Sequence, residues 1–299
     1  MSAATETSAP ERILQRIDWQ IIRRLDGQLQ GDYRSLFHGY GLDFSDLREY
    51  QPYDDIRYID WNVTARMDTP YIRQYTEDRE IAAWFLLDLS PSLDFGGLQA
   101  VKRNVLIDFV ATLSRLLTRH GNRVGAMFYA NRLEKVIPAR GGRDQVLSLI
   151  RDLLQQPAYP RGGTTRLAPL VEAALHTVKR RSLIFVISDF ISEPGWEKPL
   201  GVLAHRHEVL AVRVVDPREM ELPDIGPVIM EDSETGEQLY VDTHDRGLRE
   251  RFREAARQRE DQLLAALRRA GVDQLSVSTS DNLVASIVRF AALRRQRRK

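Results

Sequence analysis

Residues 83–95, AWFLLDLSPSLDF, decide how the rest of the chain is interpreted. The unbroken apolar run at its start is typical of a strand buried on both faces of a parallel sheet. The run ends in Asp88, Ser90 and Ser92, which place a carboxylate and two hydroxyls at alternate positions. Hard cations prefer such oxygen ligands, although the same residue types also cap turns through local hydrogen bonds. The motif alone is therefore weak support for a metal site.

Short apolar segments and helical periods alternate from residue 81 onward. Residues 123–130, 182–189 and 207–216 are nearly all apolar, and amphipathic segments lie between them. Strands that alternate with helices in this way predict an α/β fold. We expect a mostly parallel, Rossmann-like sheet with helices on both faces, together with an irregular N-terminal segment.

The same patterns predict three regions in the chain. Residues 1–30 combine a polar leader with an amphipathic helix. Residues 31–78 are rich in aromatic and charged side chains and show no clear period, which suggests a functional or extended segment. Residues 79–299 form the predicted sheet domain, in which 217–242 are an inserted loop and hairpin that turns at Ser-Glu-Thr-Gly-Glu.

Composition limits the possible functions. The chain has 43 basic and 42 acidic residues, a net charge of +1, so bulk charge gives no argument for nucleic acid or an anionic membrane. It has no cysteine, which excludes disulfides, thiol nucleophiles and cysteine-ligated metals. It shows no signal peptide and no apolar run long enough to cross a bilayer, and we expect a cytoplasmic protein without a transmembrane segment. No nucleophile elbow, P-loop or dinucleotide fingerprint is found, and no small-molecule substrate is expected.

Three polar clusters fall at predicted strand ends or helix starts, in residues 88–92, 162–165 and 188–189. Ligands of open parallel sheets bind at the carboxyl ends of the strands. Glycines 162 and 163 would let the backbone approach a bound ion closely. The three clusters together predict one pocket lined by oxygen atoms.

Asp-x-Ser-x-Ser, a threonine after Gly-Gly and an aspartate at a later strand end resemble the metal-ion-dependent adhesion site of von Willebrand factor A domains. Within that superfamily the chain resembles a bacterial family, domain of unknown function fifty-eight, often encoded beside MoxR-type AAA+ ATPases. This second resemblance rests on REYQPYDDIRYIDWNVTAR at 48–66, YIRQYTEDRE at 71–80, RHEVLAVRVVDPREMELPDIG at 206–226 and DSETGE at 232–237. Tyr53 departs from the family pattern, which usually has glycine there.

The resemblance implies a Mg²⁺ site, or a site for another divalent cation, with the ligands Asp88, Ser90, Ser92, Thr164 and Asp189. Thr164 is preferred to Thr165 because it directly follows the glycine pair. The hydroxyls of such sites usually touch the metal, and the ion then accepts an acidic side chain from a partner. The resemblance therefore implies a non-enzymatic, chaperone-like interaction module that binds a MoxR-type AAA+ ATPase or its client in protein remodelling or complex maturation.

Two other functions stay open. A metal-dependent hydrolase could use Asp88, Asp189 and the carboxylates at 54–60, although those carboxylates could equally pair with the arginines interleaved among them. Hydrolases usually hold their ions with several carboxylates or histidines, which argues against this function. An RNA-binding module could use the basic tail at 294–299, but such runs are more often solvated.

Overall fold

The computed structural model describes residues 8–18, 47–52, 54, 56, 59, 61–67, 69–73, 81–96, 101–157, 159 and 163–289. The strands are β1 (Leu47–Glu49), β2 (Tyr71–Arg73), β3 (Ala82–Asp88), β4 (Arg123–Tyr129), β5 (Leu133–Arg140), β6 (Leu183–Ser188), β7 (Glu208–Val215), β8 (Pro227–Glu231), β9 (Gln238–Asp242) and β10 (Asp273–Ser278). The helices are α1 (Ala9–Ile17), α2 (Trp61–Met67), α3 (Lys102–Arg119), α4 (Arg143–Leu154), α5 (Ala168–Thr177), α6 (Glu197–Arg206), α7 (Arg246–Arg269) and α8 (residues 283–289).

The central sheet has the strand order β10-β7-β6-β3-β4-β5. Its neighbouring strands are parallel except β4 and β5, which are antiparallel. From β3 the chain proceeds to β4 and β5 on one side, and from β6 it proceeds to β7 and β10 on the other. The strand order therefore reverses between β3 and β6, and a ligand crevice is expected at their carboxyl ends.

Helices cover both faces of the sheet, as the sequence predicts. On β3, Phe85 and Leu87 pack with α1, α3, α4 and α8 on one face. Trp84 and Leu86 pack with α5, α6 and α7 on the other. Successive side chains of a strand point to opposite faces, so a strand covered on both sides must be apolar throughout. This explains the unbroken apolar run, and the α/β prediction is confirmed.

The N-terminal helix α1 packs on this domain. Leu14 and Ile17 are fully buried in the core beneath α3 and α4. An ion pair of 2.8 Å joins Asp18 to Arg115 of α3. The leader at 1–7 and the continuation of the predicted helix through 19–30 lie outside the described residues.

A separate hairpin is formed by β8 and β9, within the range 217–242 that the sequence distinguishes from the sheet. Its register pairs Ile229 with Tyr240, and both side chains are about two-thirds exposed, at 66% and 69%. At its base the buried Thr243 donates to the Gly226 carbonyl at 2.8 Å and accepts from the amide of Ile225 at 3.0 Å. The turn at 232–237 reaches back to the carboxyl edge of the central sheet.

The close approach of β5 to β4 depends on Gly125. A Cβ atom there would lie 2.8 Å from the Ile137 carbonyl oxygen and 2.9 Å from the Ala139 nitrogen. Gly125→Ala should lower the free energy of unfolding by about 1–3 kcal/mol, because backbone atoms have to shift. Urea unfolding monitored by tryptophan fluorescence measures this change. The control is Gly201→Ala in α6, where the nearest atom to the added Cβ, the Cα of Ala270, is 3.9 Å away and helix propensity favours alanine. An equal loss of stability in both variants would contradict the packing argument.

Candidate metal centre

Asp88 occupies the end of β3, beside the end of β6, where the strand order reverses. Its side chain is fully buried. One carboxylate oxygen accepts the Ser90 amide at 3.0 Å, and the other accepts the Ser188 hydroxyl at 2.6 Å. Each carboxylate oxygen has two lone pairs, so both retain capacity for a further ligand.

Ser90 and Ser92 bracket the start of a 3-10 turn, Pro91–Asp94. Proline suits the first position of such a turn because its φ is already fixed near the helical value. The turn brings the Ser90 and Ser92 hydroxyl oxygens to 3.1 Å from each other, and both side chains are buried. The alternate serines therefore face the same side, next to Asp88.

Thr165, rather than Thr164, joins this cluster. Thr165 is only 2% exposed, and its hydroxyl donates to the Glu234 carboxylate at 2.9 Å. Thr164 is exposed and its hydroxyl donates to Glu193. The two adjacent side chains leave the loop in different directions, and distance from the glycine pair does not indicate which one faces inward. Gly162 lies outside the described residues.

Asp189 is buried beside the cluster but is held by a lysine. Its Oδ2 accepts Lys102 Nζ at 2.7 Å, and its Oδ1 accepts the Ile191 amide at 3.0 Å. Lys102 is itself fully buried and also donates to Glu219 at 2.5 Å. Burial acts to lower the pKa of Lys102, but the charges of Asp189 and Glu219 outweigh it and raise that pKa. The lysine therefore stays charged and supplies the counter-ion of Asp189.

The sequence patterns did not identify Lys102 as part of the site, although its position on the apolar stripe of α3 indicated a buried charge. Lys102, Leu106, Phe109 and Leu113 lie on one stripe of α3 and are all buried. A lysine at the apolar period of a helix must find an acidic partner when the stripe is buried. The sequence does not show which carboxylates those are, because Asp189 and Glu219 are far from it along the chain.

Glu234 is the second residue that sequence reasoning did not place. The turn of the hairpin carries it into the cluster, where it is 8% exposed. Its Oε1 accepts the Ser92 amide at 3.2 Å and the Thr165 hydroxyl at 2.9 Å. Its Oε2 is buried and has no hydrogen-bond partner among the described residues. The motif DSETGE predicted the turn, but no local feature predicted where the turn would dock.

The turn itself has a simple local cause. Asp232 Oδ1 accepts the amides of Glu234 at 2.9 Å and Thr235 at 2.7 Å, as aspartate often does in turns. Gly236 has a φ of +76°, a value that favours glycine over other residues. The Gly236 amide closes the turn on the Asp232 carbonyl at 2.8 Å.

Among the described residues, no basic side chain pairs with Asp88 or Glu234. Burial, and then the charge of Asp189, raise the pKa of Asp88 to about 6, against the hydrogen bonds of Ser188 and Ser90 that lower it. Burial also raises the pKa of Glu234, with a smaller contribution from Asp189. Deprotonated Asp88 and Glu234 are therefore costly here unless a cation accompanies them.

These donors fit a hard divalent cation. They are carboxylate and hydroxyl oxygens, and within the described part of the chain one buried carboxylate oxygen, Glu234 Oε2, has no hydrogen-bond partner. Among the described residues, no group of three or more histidine, aspartate or glutamate side chains is arranged to hold a metal. A cation at this edge would therefore depend largely on the hydroxyls.

The carboxylates at 54–60 are described only in part. Asp54 accepts the Gln51 amide at 2.8 Å. Tyr53, Asp55, Arg57 and Asp60 lie outside the described residues, so the predicted pairing with arginines stays a prediction. The basic tail at 294–299 lies outside them as well.

A family model described as "Protein of unknown function DUF58" matches residues 46–262. This chain belongs to the DUF58 family. The uncharacterized protein Rv1480 of Mycobacterium tuberculosis (strain H37Rv) is 38% identical to it over 283 residues, which cover 95% of this chain and 89% of the relative. The family resemblance seen in the sequence is thereby confirmed.

Solved structures similar to this DUF58 chain include proteins of von Willebrand factor A type. BatB from Bacteroides thetaiotaomicron is 15% identical, with a TM-score of 0.46, over 72% of this chain and 99% of that one. The VWA domain of SpRpn10 is 14% identical, with a TM-score of 0.38, over 70% of this chain and 94% of that domain. The strand order β10-β7-β6-β3-β4-β5, with only β5 antiparallel among these strands, gives this chain a von Willebrand factor A-like fold.

The helices in the described part of this DUF58 chain include none that is both long and apolar enough to cross a membrane.

Asp88→Asn should change how the metal-free protein responds to pH. A carboxyl group stabilises the fold if its pKa is higher in the folded protein than in the unfolded chain. This stabilisation is complete at pH values below the unfolded-state pKa, and it is lost as the pH rises through the folded-state pKa. In EDTA, wild type should therefore lose stability relative to Asp88→Asn between pH 5 and pH 7.5, by about 1 kcal/mol. Urea unfolding at both pH values measures the difference. Asp261→Asn, exposed on α7, is the control, and identical pH dependence in wild type and Asp88→Asn would contradict the argument.

Lys102→Met should lower the free energy of unfolding by about 3–5 kcal/mol, because it leaves the buried Asp189 and the partly buried Glu219 without their counter-ion. Lys198→Met, exposed on α6, should have little effect. The double variant Lys102→Met/Asp189→Asn should lose less stability than the sum of its single variants, which chemical denaturation of all four proteins would show. Strict additivity would mean that the ion pair does not stabilise the fold.

Proposed function

We propose that this DUF58 chain is a non-enzymatic protein-interaction module that binds its partner through a divalent cation at the carboxyl edge of the sheet. The proposal rests on four buried residues at the point where the strand order reverses. Asp88, Ser90 and Ser92 are joined by hydrogen bonds, and Thr165 meets Ser92 at the Glu234 carboxylate. Open α/β sheets bind ligands at such points. The cation would supply a bridge between these oxygens and an anionic group.

Mg²⁺ suits this donor set best. It prefers oxygen ligands and usually keeps several waters rather than filling its coordination with protein groups. Asp88 would supply a negative charge, and Ser90, Ser92 and Thr165 would supply neutral oxygens. Because Lys102 holds Asp189, that aspartate would act through water or orient the neighbouring backbone. A cation held mainly by neutral hydroxyls retains affinity for an additional carboxylate, which favours an acidic side chain on the partner.

The proposed partner is a MoxR-type AAA+ ATPase or its client, which would make this chain the recognition component of a remodelling system. The support for this partner is the family resemblance carried by residues 48–66, 206–226 and 232–237. The ATPase would supply energy from nucleotide hydrolysis, and no catalytic residue is assigned here. A cytoplasmic location belongs to the same proposal. Asp55 and Asp60, which the hydrolase alternative also needs, lie outside the described residues, and so does the basic tail of the RNA-binding alternative.

A pull-down from the source cell's lysate tests the proposal. Wild type should recover a MoxR-type ATPase in Mg²⁺ and lose it in EDTA, because the bridge between the two proteins needs the cation. Asp88→Ala should lose it in both buffers, while the exposed control Asp261→Ala should behave as wild type. Recovery of the same proteins in every lane would show that this edge of the sheet is not the docking site.

A further inference from the structure

We infer that Glu234 is an internal ligand of this site, in the place that an acidic side chain of the partner would take. The inference rests on the proposed function, since it assumes that the edge of the sheet binds a divalent cation. It adds that the hairpin covers the cation in the free protein. A partner's carboxylate must therefore displace Glu234 before it can bind.

The contacts of Glu234 match this role. The Glu234 carboxylate accepts two hydrogen bonds, from the Ser92 amide and the Thr165 hydroxyl, and both are accepted by Oε1. Its other oxygen, Oε2, is buried without a hydrogen-bond partner among the described residues. A buried carboxylate oxygen with no donor is costly, and a cation held by the neighbouring serines would satisfy it.

The hairpin is built to present this side chain. Asp232 and Gly236 fix the turn before any ion is bound, so little freedom is lost when Glu234 enters the site. The strands behind the turn are exposed on the side of Ile229 and Tyr240. Thr243 holds the base of the hairpin, whereas Glu234 joins its tip to the edge of the sheet. The tip can therefore leave the site without disturbing the central sheet.

Manganese titration tests the inference on the full chain, with Mn²⁺ as a spectroscopic substitute for Mg²⁺. Glu234→Gln keeps an oxygen for Ser92 and Thr165 but removes the charge, and it should bind Mn²⁺ about tenfold more weakly, as expected for about 1.4 kcal/mol of lost binding energy. Glu234→Ala should also bind weakly, and added acetate should restore its affinity. Glu237→Gln removes a charge from an exposed position of the same turn and should bind as wild type. Electron paramagnetic resonance of free Mn²⁺ gives the affinities.

Hydrogen exchange of residues 227–242 supplies a second measurement. Mn²⁺ should slow exchange of these amides in wild type and in Glu237→Gln, because the ion fastens the tip of the hairpin. It should leave them unchanged in Glu234→Gln.

The manganese titration distinguishes a failure of the role of Glu234 from a failure of cation binding as a whole. If wild type binds Mn²⁺ and both Glu234 variants bind it equally well, Glu234 is not a ligand, and the cation site itself stands. If wild type binds no Mn²⁺, the cation-dependent function fails, and the inference fails with it. Urea unfolding of each variant shows whether lost affinity reflects lost folding, and Glu234→Gln, which retains the oxygen at Oε1, is the variant expected to stay folded.

Discussion

The hydrogen bond from Ser188 to Asp88 joins the two strands between which the order of the sheet reverses. Parallel pairing of β3 with β6 brings these two strand ends together, and the apolar run of β3 makes that pairing possible. In open α/β sheets the loops leave such a point in opposite directions, and ligands bind between them. The serine turn, the threonine loop and the tip of the hairpin all meet there. Without that pairing, residues distant in sequence would not form a site.

Lys102 divides the carboxylates at this edge of the sheet into two groups. Asp189 and Glu219 share its charge and are neutralised within the protein. Asp88 and Glu234 accept hydrogen bonds, but neither is paired with a lysine or arginine among the described residues. Buried carboxylates that receive only hydrogen bonds bind a proton or a metal more readily than solvated ones. The position of one lysine therefore decides which carboxylates are available to an ion and which hold the fold together.

A feature could be predicted from the sequence when the residues that determine it are close together along the chain. The apolar run, the spacing of Asp88, Ser90 and Ser92, and the alternation of strands and helices are local patterns, and they led to the correct fold and strand end. The choice of Thr165 depends on how one loop turns. The docking of Glu234 depends on a contact with Ser92 that spans 142 positions of the chain. No local period or propensity encodes such a contact, whereas the fold creates it by packing the hairpin over the edge of the sheet.

A carboxylate carried by the protein's own hairpin changes what a cation can contribute to recognition. If a partner's acidic side chain replaces Glu234, the number of carboxylates at the ion is the same before and after binding, and the exchange itself releases little free energy. The tethered group also competes at an effective concentration that a free acidic side chain does not reach. Selectivity must therefore come from the surfaces around the ion that the partner covers when the hairpin moves. Because cation, hairpin and partner share one site, each influences the binding of the other two, and this coupling is reciprocal.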